Sequence, residues 1–303
     1  MTNLDRIKET ALDFGCDVKE NEPMKSYTTF KIGGNAQILV TAKSLNGLVA
    51  VLKTCKTQGA PCFILGRGSN LLVSDQGIEG VVLRLDGDFK SISLVDDDTV
   101  FCGAGVSLAR LCAFACEHSL SGLEFAWGIP GSAGGAAFMN AGAYTGEMKD
   151  VLLCCHHVTP DGTVGSIEKK DLQFSYRHSV YADNGFVITG IVVKLQKDSE
   201  TKIRNRMDEF MRRRREKQPL EYPSAGSVFK RPEGHFAGTL IEQAGLKGYR
   251  IGGAEISRKH AGFIINRGNA TAQDVLDLIR HIQNTVRSDF DVDLVCEVRY
   301  VGR

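Results

Sequence analysis

Three features of the chain predict a fold that mixes helices and strands in more than one unit. They are its length, its alternation of short strand-like and helix-like segments without internal repeats, and a change of composition near residue 199. At 303 residues it exceeds what one hydrophobic core usually organises, about 250–300 residues. With 43% hydrophobic and 24% charged residues it reads as an ordinary soluble globular protein. A formal net charge of +1 gives no reason to expect DNA or an acidic membrane as partner. There is no long uncharged apolar run, and the start MTNLDRIKETALDFG carries charges where a signal peptide needs an apolar core, so a cytosolic protein is expected.

Taken in order, SLNGLVAVLKTCKTQ (44–58) predicts a helix capped by Ser44, and CFIL (62–65) a buried strand that runs straight into GRGSNLLV. GVVLRL, ISLV and TVFCGAGV between 78 and 110 read as strands, followed by a helix begun at Ser107. The glycine-rich run GIPGSAGGAAFMNAGAYTGE occupies 128–147. VLLCCHHV and GFVITGIVVKLQ are again strands, the second alternating as if one face were wet. In SETKIRNRMDEFMRRRREKQPLEYP, Ile203, Met207, Phe210 and Met211 fall at helical spacing, and Pro219 and Pro223 stop the helix before a new unit. The arginines at 212–215 can bind a nucleic acid or a nucleotide phosphate, but such a run is more often a solvated helix face, the preferred reading here. TAQDVLDLIRHIQNTV presents Val275, Leu278, Ile279, Ile282 and Val286 on one stripe, and DVDLVCEVRYVG alternates as a strand, with Glu297 and Arg299 on one face.

Nine cysteines without a CxxC or HxxxH pattern suggest free, mostly buried thiols, and no metal site is expected. Two glycine loops can carry chemistry. In LGRGSN, Gly66, Gly68, Ser69 and Asn70 follow a strand and can offer bare N–H groups to an anion. In GIPGSAGG, Gly131, Ser132, Gly134 and Gly135 allow close backbone approach to a ligand. Neither loop is a Rossmann or P-loop fingerprint. Together they suggest a pyrophosphate-bearing cofactor held from two sides. A third stretch, PSAGSVFKRP (223–232), reads by itself as a turn entering a strand.

Seven motifs in order resemble the UDP-N-acetylenolpyruvoylglucosamine reductase family. They are YTTFKIGG (27–34), ILGRGSNLLV (64–73), GIPGSAGGAAFMNAGAYTGE (128–147), FSYRHS (174–179), AGSVFKRP (225–232), AGLKGYRIGGAEISRKHAGFIIN (244–266) and the terminal CEVRYVG. The resemblance runs from about residue 25 to the C-terminus. It implies a flavoenzyme of bacterial cell-wall synthesis that uses NADPH to reduce the enolpyruvyl ether of a UDP-sugar. It implies an α+β fold whose FAD-binding part is of the vanillyl-alcohol oxidase type, in subdomains over 1–85 and 86–198. A substrate-binding domain follows over 199–303, with its last strand returning toward the flavin site. FAD is expected to be non-covalent and the protein a monomer, with a UDP-sugar and NADPH as small-molecule partners.

By the same resemblance, Ser227 donates the proton that follows hydride attack on the vinyl carbon, and Arg177 and Glu297 stabilise the developing enolate. An arginine fork matches a carboxylate, whereas Glu297 makes chemical sense if it is protonated or orients Arg177 or a water. Tyr27, Thr28, Gly66, Arg67, Gly68, Ser69, Asn70, Gly131, Ser132, Gly134, Gly135 and Asn140 are implied cofactor contacts. Lys230 and Tyr144 are implied substrate contacts, Lys230 as a strand residue facing away from Ser227, and Tyr144 with a packing role as the alternative. Gly226 is expected to clear space beside the substrate. His156, His157, His178 and His260 are read as structural or solvent-facing. No segment is long enough to be the tyrosine-bearing insertion of one branch of the family, so the shorter branch is the match. Two other readings stay open on the residues: a flavin-dependent alcohol oxidase of the same cofactor fold, against which AGSVFKRP and CEVRY argue, and a catalytically silent nucleotide-binding protein.

Overall fold

Helix starts follow the caps in the sequence. Ser44 accepts from the Gly47 amide at the head of Leu45–Gln58, which Gly59 closes in the left-handed conformation, and Ser107 accepts from Arg110 before Leu108–Glu117. Thr271 and Asp274 form a reciprocal capping box on Ala272–Phe290, whose buried stripe is the predicted Val275, Leu278, Ile279, Ile282 and Val286. A computed structural model describes residues 2–303. No helix among them is long and apolar enough to cross a membrane.

The chain forms two compact units, each assembled from separated stretches. One comprises the residues up to 20 with 38–67 and 80–212, and the other 21–37, 68–79 and 213–303. The division differs from contiguous boundaries at 85/86 and 198/199, and the second unit shows why. Leu71–Val73 pairs in parallel with Arg299–Val301. Phe30, Ile32 and Leu72 are buried with Ile241, Val275, Leu278 and Ile282 in one core. The Asp75 carboxylate accepts from the amides of Ala272 and Gln273, where a helix N-terminus favours an anion. These early residues therefore complete the C-terminal unit.

The first unit has two cores. Helices Asn3–Asp13 and Leu45–Gln58 share one core with Ile38, Val40, Val81 and Leu83, beside a sheet in which Cys62–Ile64 pairs in parallel with Ile78–Leu85. The other lies against an antiparallel sheet of order Val164–Glu168, Leu152–Val158, Val187–Lys194, Thr99–Gly103, Ile92–Leu94, covered by Leu108–Glu117 and Ala133–Phe138. Val187–Lys194 does not have the wet face that its alternation suggests. It is the central strand, and only Lys194 is exposed.

In the second unit a four-stranded antiparallel sheet of order Ser224–Ser227, Phe263–Asn266, Ala254–Ile256, Arg250–Ile251 shares its core with Ala272–Phe290. The stretch 291–302 is not one strand. An isolated bridge joins Cys296 to Phe229, and ladder pairing is confined to Arg299–Val301. The Val228 carbonyl accepts from both Glu297 and Val298, which breaks the alternation. All nine cysteines are free, and six are buried. Burial pushes the Cys102 thiol up to about 12.

Glu200–Lys217 buries Ile203 and Met207, and its arginine run is solvated at Arg212, Arg213 and Arg215. Arg214 departs from that reading, being buried with Nη1 directed to Gln218 Oε1 at 3.3 Å. Earlier on the helix, Arg206 donates to Glu124 at 2.7 Å and to Asp198 at 2.8 Å. Burial pushes the Glu124 carboxyl upward, but Arg206, the Gly122 amide and the Ser121 hydroxyl outweigh it and hold it below its ordinary range. Stability from this group is therefore complete above the ordinary carboxylate pKa and is lost as pH falls through the lowered value. Arg206→Ala leaves a buried carboxylate short of its cation. Because Arg206 is itself partly exposed, the expected loss is about 1–3 kcal/mol in urea unfolding at pH 7. An unchanged urea midpoint contradicts this account.

Candidate active site

The GRGSN loop follows the strand Cys62–Ile64; its conformation needs glycine at Gly68, and a side chain at Gly66 would crowd a neighbour. Gly68 has φ 62°, and a Cβ there would lie 2.2 Å from the Tyr27 carbonyl oxygen and 2.9 Å from Thr28 Cα. A Cβ on Gly66 would lie 2.8 Å from Ser132 Oγ. Among the described residues no acceptor is within hydrogen-bond reach of the amides of Gly66, Arg67, Gly68 and Ser69. Gly66 and Arg67 are open to solvent. A run of unspent N–H groups around a left-handed glycine suits the diphosphate of a dinucleotide.

The second glycine loop divides its work. Ser132 is buried, accepts from the Gly135 amide and caps Ala133–Phe138. The Gly134 amide goes to the Ala104 carbonyl at 3.0 Å, and a Cβ on Gly134 would meet Ala104 Cβ at 2.7 Å. The amides of Gly134 and Gly135 are therefore spent on packing and capping, while Gly135 itself is exposed. Gly131 and Ser132 retain amides with no acceptor among the described residues.

Asn140 is completely buried with φ 44°, and its amide is spent on protein. Nδ2 donates to Glu147 Oε2 at 2.6 Å and to the Ser175 carbonyl at 3.1 Å, while Oδ1 accepts from the Lys149 amide at 2.9 Å. This Asn clamps the turn that carries Arg177. Ser175 and His178 exchange backbone bonds at 3.2 Å around Tyr176 and Arg177, with Arg177 left-handed at φ 57°. Ser179 Oγ anchors the far side of the turn to the Phe138 carbonyl at 2.7 Å. Arg177 lies 5.0 Å above the Tyr176 ring. Tyr144 stacks on Phe210 at 4.4 Å and donates to its carbonyl at 2.7 Å, the packing role. Thr28 is buried, its hydroxyl on the Ile32 carbonyl, and Tyr27 donates to Glu22 at 2.6 Å.

In the second unit Ser227 occupies a β-bulge. Ser224 pairs with Ile265 and Ser227 with Phe263, so Ala225 and Gly226 together oppose Ile264 alone. Gly226 has φ 78° with no atom within 4 Å of an added Cβ, so backbone conformation, more than room, calls for glycine. Val228 fixes the exit of the bulge. Its amide donates to Gly262 O at 2.9 Å, and its carbonyl accepts from Glu297 at 2.7 Å and Val298 at 3.3 Å. Asn70 Nδ2 in turn donates to the Glu297 carbonyl at 3.0 Å, and the Arg299 amide donates to the Asn70 carbonyl at 3.0 Å. Ser227, Glu297 and Asn70 thus sit on three adjoining stretches of main chain. Lys230 lies beyond the strand, its amide on the Val295 carbonyl at 2.8 Å, so strand parity does not set its direction relative to Ser227.

The histidines have partners of their own. His178 Nε2 is 2.9 Å from Asp183, His157 Nδ1 is 3.0 Å from the Tyr181 hydroxyl, and His260 Nδ1 accepts from the Gly262 amide at 3.1 Å. Burial holds the imidazoles of His157 and His260 below the usual range. Sequence reasoning passed over Asn140 as a clamp and the Val228 carbonyl as a clasp. The first is an ordinary asparagine until its burial is seen, and the second is a main-chain group without a sequence signal.

Residues 218–301 match the family model of the UDP-N-acetylenolpyruvoylglucosamine reductase C-terminal domain, and residues 36–168 match that of an FAD binding domain. A UDP-N-acetylenolpyruvoylglucosamine reductase from Syntrophomonas wolfei is 49% identical over 94% of this chain and 95% of its own. One from Clostridium kluyveri is 48% identical over 94% and 93%. The crystal structure of the Thermus caldophilus enzyme of that name superposes with a TM-score of 0.81 at 38% identity, covering 94% of this chain and 98% of its own. A berberine bridge enzyme variant, at 13% identity and a TM-score of 0.50 over 64% of this chain, shares the fold alone.

Gly226→Ala tests the reading of the bulge. With space free around the position, its cost comes from φ alone, about 1–2 kcal/mol, and Gly226→Asn, more tolerant of that conformation, costs less. Urea unfolding of the two variants checks it, and an alanine variant as stable as the parent contradicts it.

Proposed function

Because the chain belongs to the UDP-N-acetylenolpyruvoylglucosamine reductase family, it is an NADPH-dependent FAD enzyme that reduces UDP-N-acetylglucosamine enolpyruvate to UDP-N-acetylmuramate, and we propose that Ser227 delivers the proton of that reduction. The reaction belongs to peptidoglycan precursor synthesis, and an oxidase or a silent binding protein is no longer a competing reading. We place it in a monomer in the cytoplasm, where the UDP-sugar and NADPH meet, with consequences for cell shape and division.

When bound, FAD supplies the hydride transfer between NADPH and the vinyl carbon of the substrate. The unspent amides of Gly66, Arg67, Gly131 and Ser132 are the groups we assign to its diphosphate. Arg177 takes the substrate carboxylate in a two-pronged hydrogen bond, and its cation stabilises the negative charge that spreads there as the double bond is consumed. Ser227 Oγ–H gives its proton to the carbon bearing the ether oxygen. A serine hydroxyl is a weak acid near neutral pH, so it has to be held within ~3 Å of a strongly basic enolate carbon. The bulge at Gly226 supports this reading most directly, because it sets Ser227 by main-chain bonds on rigid strands. Glu297 orients the water or cation that relieves the serine after transfer. Lys230 adds positive charge in the same unit, and Tyr144 lines the substrate's approach while packed on Phe210.

Ser227→Ala is expected to lower kcat by about 10²–10⁴-fold while NADPH still bleaches the flavin band at the parent rate. A kcat near that of the parent enzyme removes Ser227 from the chemistry.

A further inference from the structure

Thr29, in the YTTF stretch, reaches two different parts of the second unit. Its amide donates to the Gly68 carbonyl at 3.2 Å, and its hydroxyl donates to the Ser224 carbonyl at 2.7 Å, with the Gly68 carbonyl a far longer alternative at 3.5 Å. Ser224 is the last paired residue before the bulge, and pairing resumes at Ser227. The exit of the bulge is held by three main-chain bonds at Val228. At its entry, beside the pairing with Ile265, stands a side chain from nearly two hundred residues earlier. An extra residue in a ladder leaves its strand local freedom to bend, so the direction of Ser227 depends on both ends being fixed. Thr29 is half-buried, where a hydroxyl bond is less open to exchange with water.

We propose that Thr29 is a positioning residue for proton transfer, its hydroxyl fixing the entry of the bulge and thereby the place of the Ser227 hydroxyl relative to the Gly68 loop. The inference rests on the reading of Ser227 as the acid. Thr29 touches neither substrate nor cofactor in this role. It acts through the Ser224 carbonyl, and a misplacement of about 1 Å at a reacting group can cost about 10²-fold in rate.

Thr29→Val keeps the shape and removes the donor, and Thr29→Ser restores the donor. Each holoenzyme is reduced anaerobically with NADPH and mixed with UDP-N-acetylglucosamine enolpyruvate, and quenched product is followed in a single turnover. For Thr29→Val the reduction by NADPH is expected to stay within about twofold of the parent, with product formation slowed about 10–100-fold and returned by Thr29→Ser. Added to Ser227→Ala, Thr29→Val is expected to change little, since both act on one step. If Thr29→Val loses flavin, Thr29→Ala carries the same comparison. Product formation at the parent rate in the Thr29 variants, with Ser227→Ala slow, overturns the inference and leaves the acid in place. Equal slowing of both half-reactions without rescue by serine makes Thr29 merely structural and overturns it too. A parent-like Ser227→Ala removes the acid and this inference together.

Discussion

The carbonyl of Val228, taken by the amides of Glu297 and Val298, is the constraint on which the rest of the second unit's chemistry depends. It joins the strand that ends at Ser227 to a segment from the far end of the chain, and the same segment is held by the side chain of Asn70. Two acceptor bonds on one oxygen cost the terminal stretch its regular ladder. In exchange the main chain of Glu297 is fixed beside Ser227. Fixing both through backbone groups, on a sheet with a filled core, places functional side chains more tightly than a free loop can.

Glycine does three different things in this molecule. At Gly68 it admits the main chain of Tyr27 and Thr28 to a distance that no Cβ allows. At Gly134 it lets a short helix settle on Ala104, and at Gly226 it supplies the left-handed step of a bulge. A glycine-rich motif read as one ligand cradle therefore mixes positions with unspent amides and positions that pack or turn the main chain. Asn140 belongs with the second kind. Its buried amide ties the Ser175 carbonyl of the Arg177 turn to Glu147 and Lys149, and an unsatisfied group at such depth costs about 1–3 kcal/mol.

The parts of the fold that local chemistry dictates were legible in the sequence. Ser44 and Ser107 cap the helices they were expected to start, and the stripe from Val275 to Val286 is buried as its spacing implies. The family and its reaction were legible because seven motifs stand in order. What escaped depends on distant partners. Phe30, Leu72 and Asp75 give no local sign that they complete the C-terminal unit. The period-two pattern of 291–302 is real, but the ladder is interrupted by a carbonyl from Val228, and the pattern of Val187–Lys194 is overridden by its central place in the sheet. Arg214 looks like its exposed neighbours until its burial is seen.

The central claim is that Ser227 delivers the proton that follows hydride transfer. A single turnover in D2O tests it most directly, following deuterium entry at the carbon bearing the ether oxygen alongside return of the flavin absorbance. The account predicts that the two rates coincide in the parent enzyme and that in Ser227→Ala deuterium entry falls well behind flavin reoxidation. If deuterium enters the product of Ser227→Ala as fast as in the parent, the proton comes from another group and the account is contradicted.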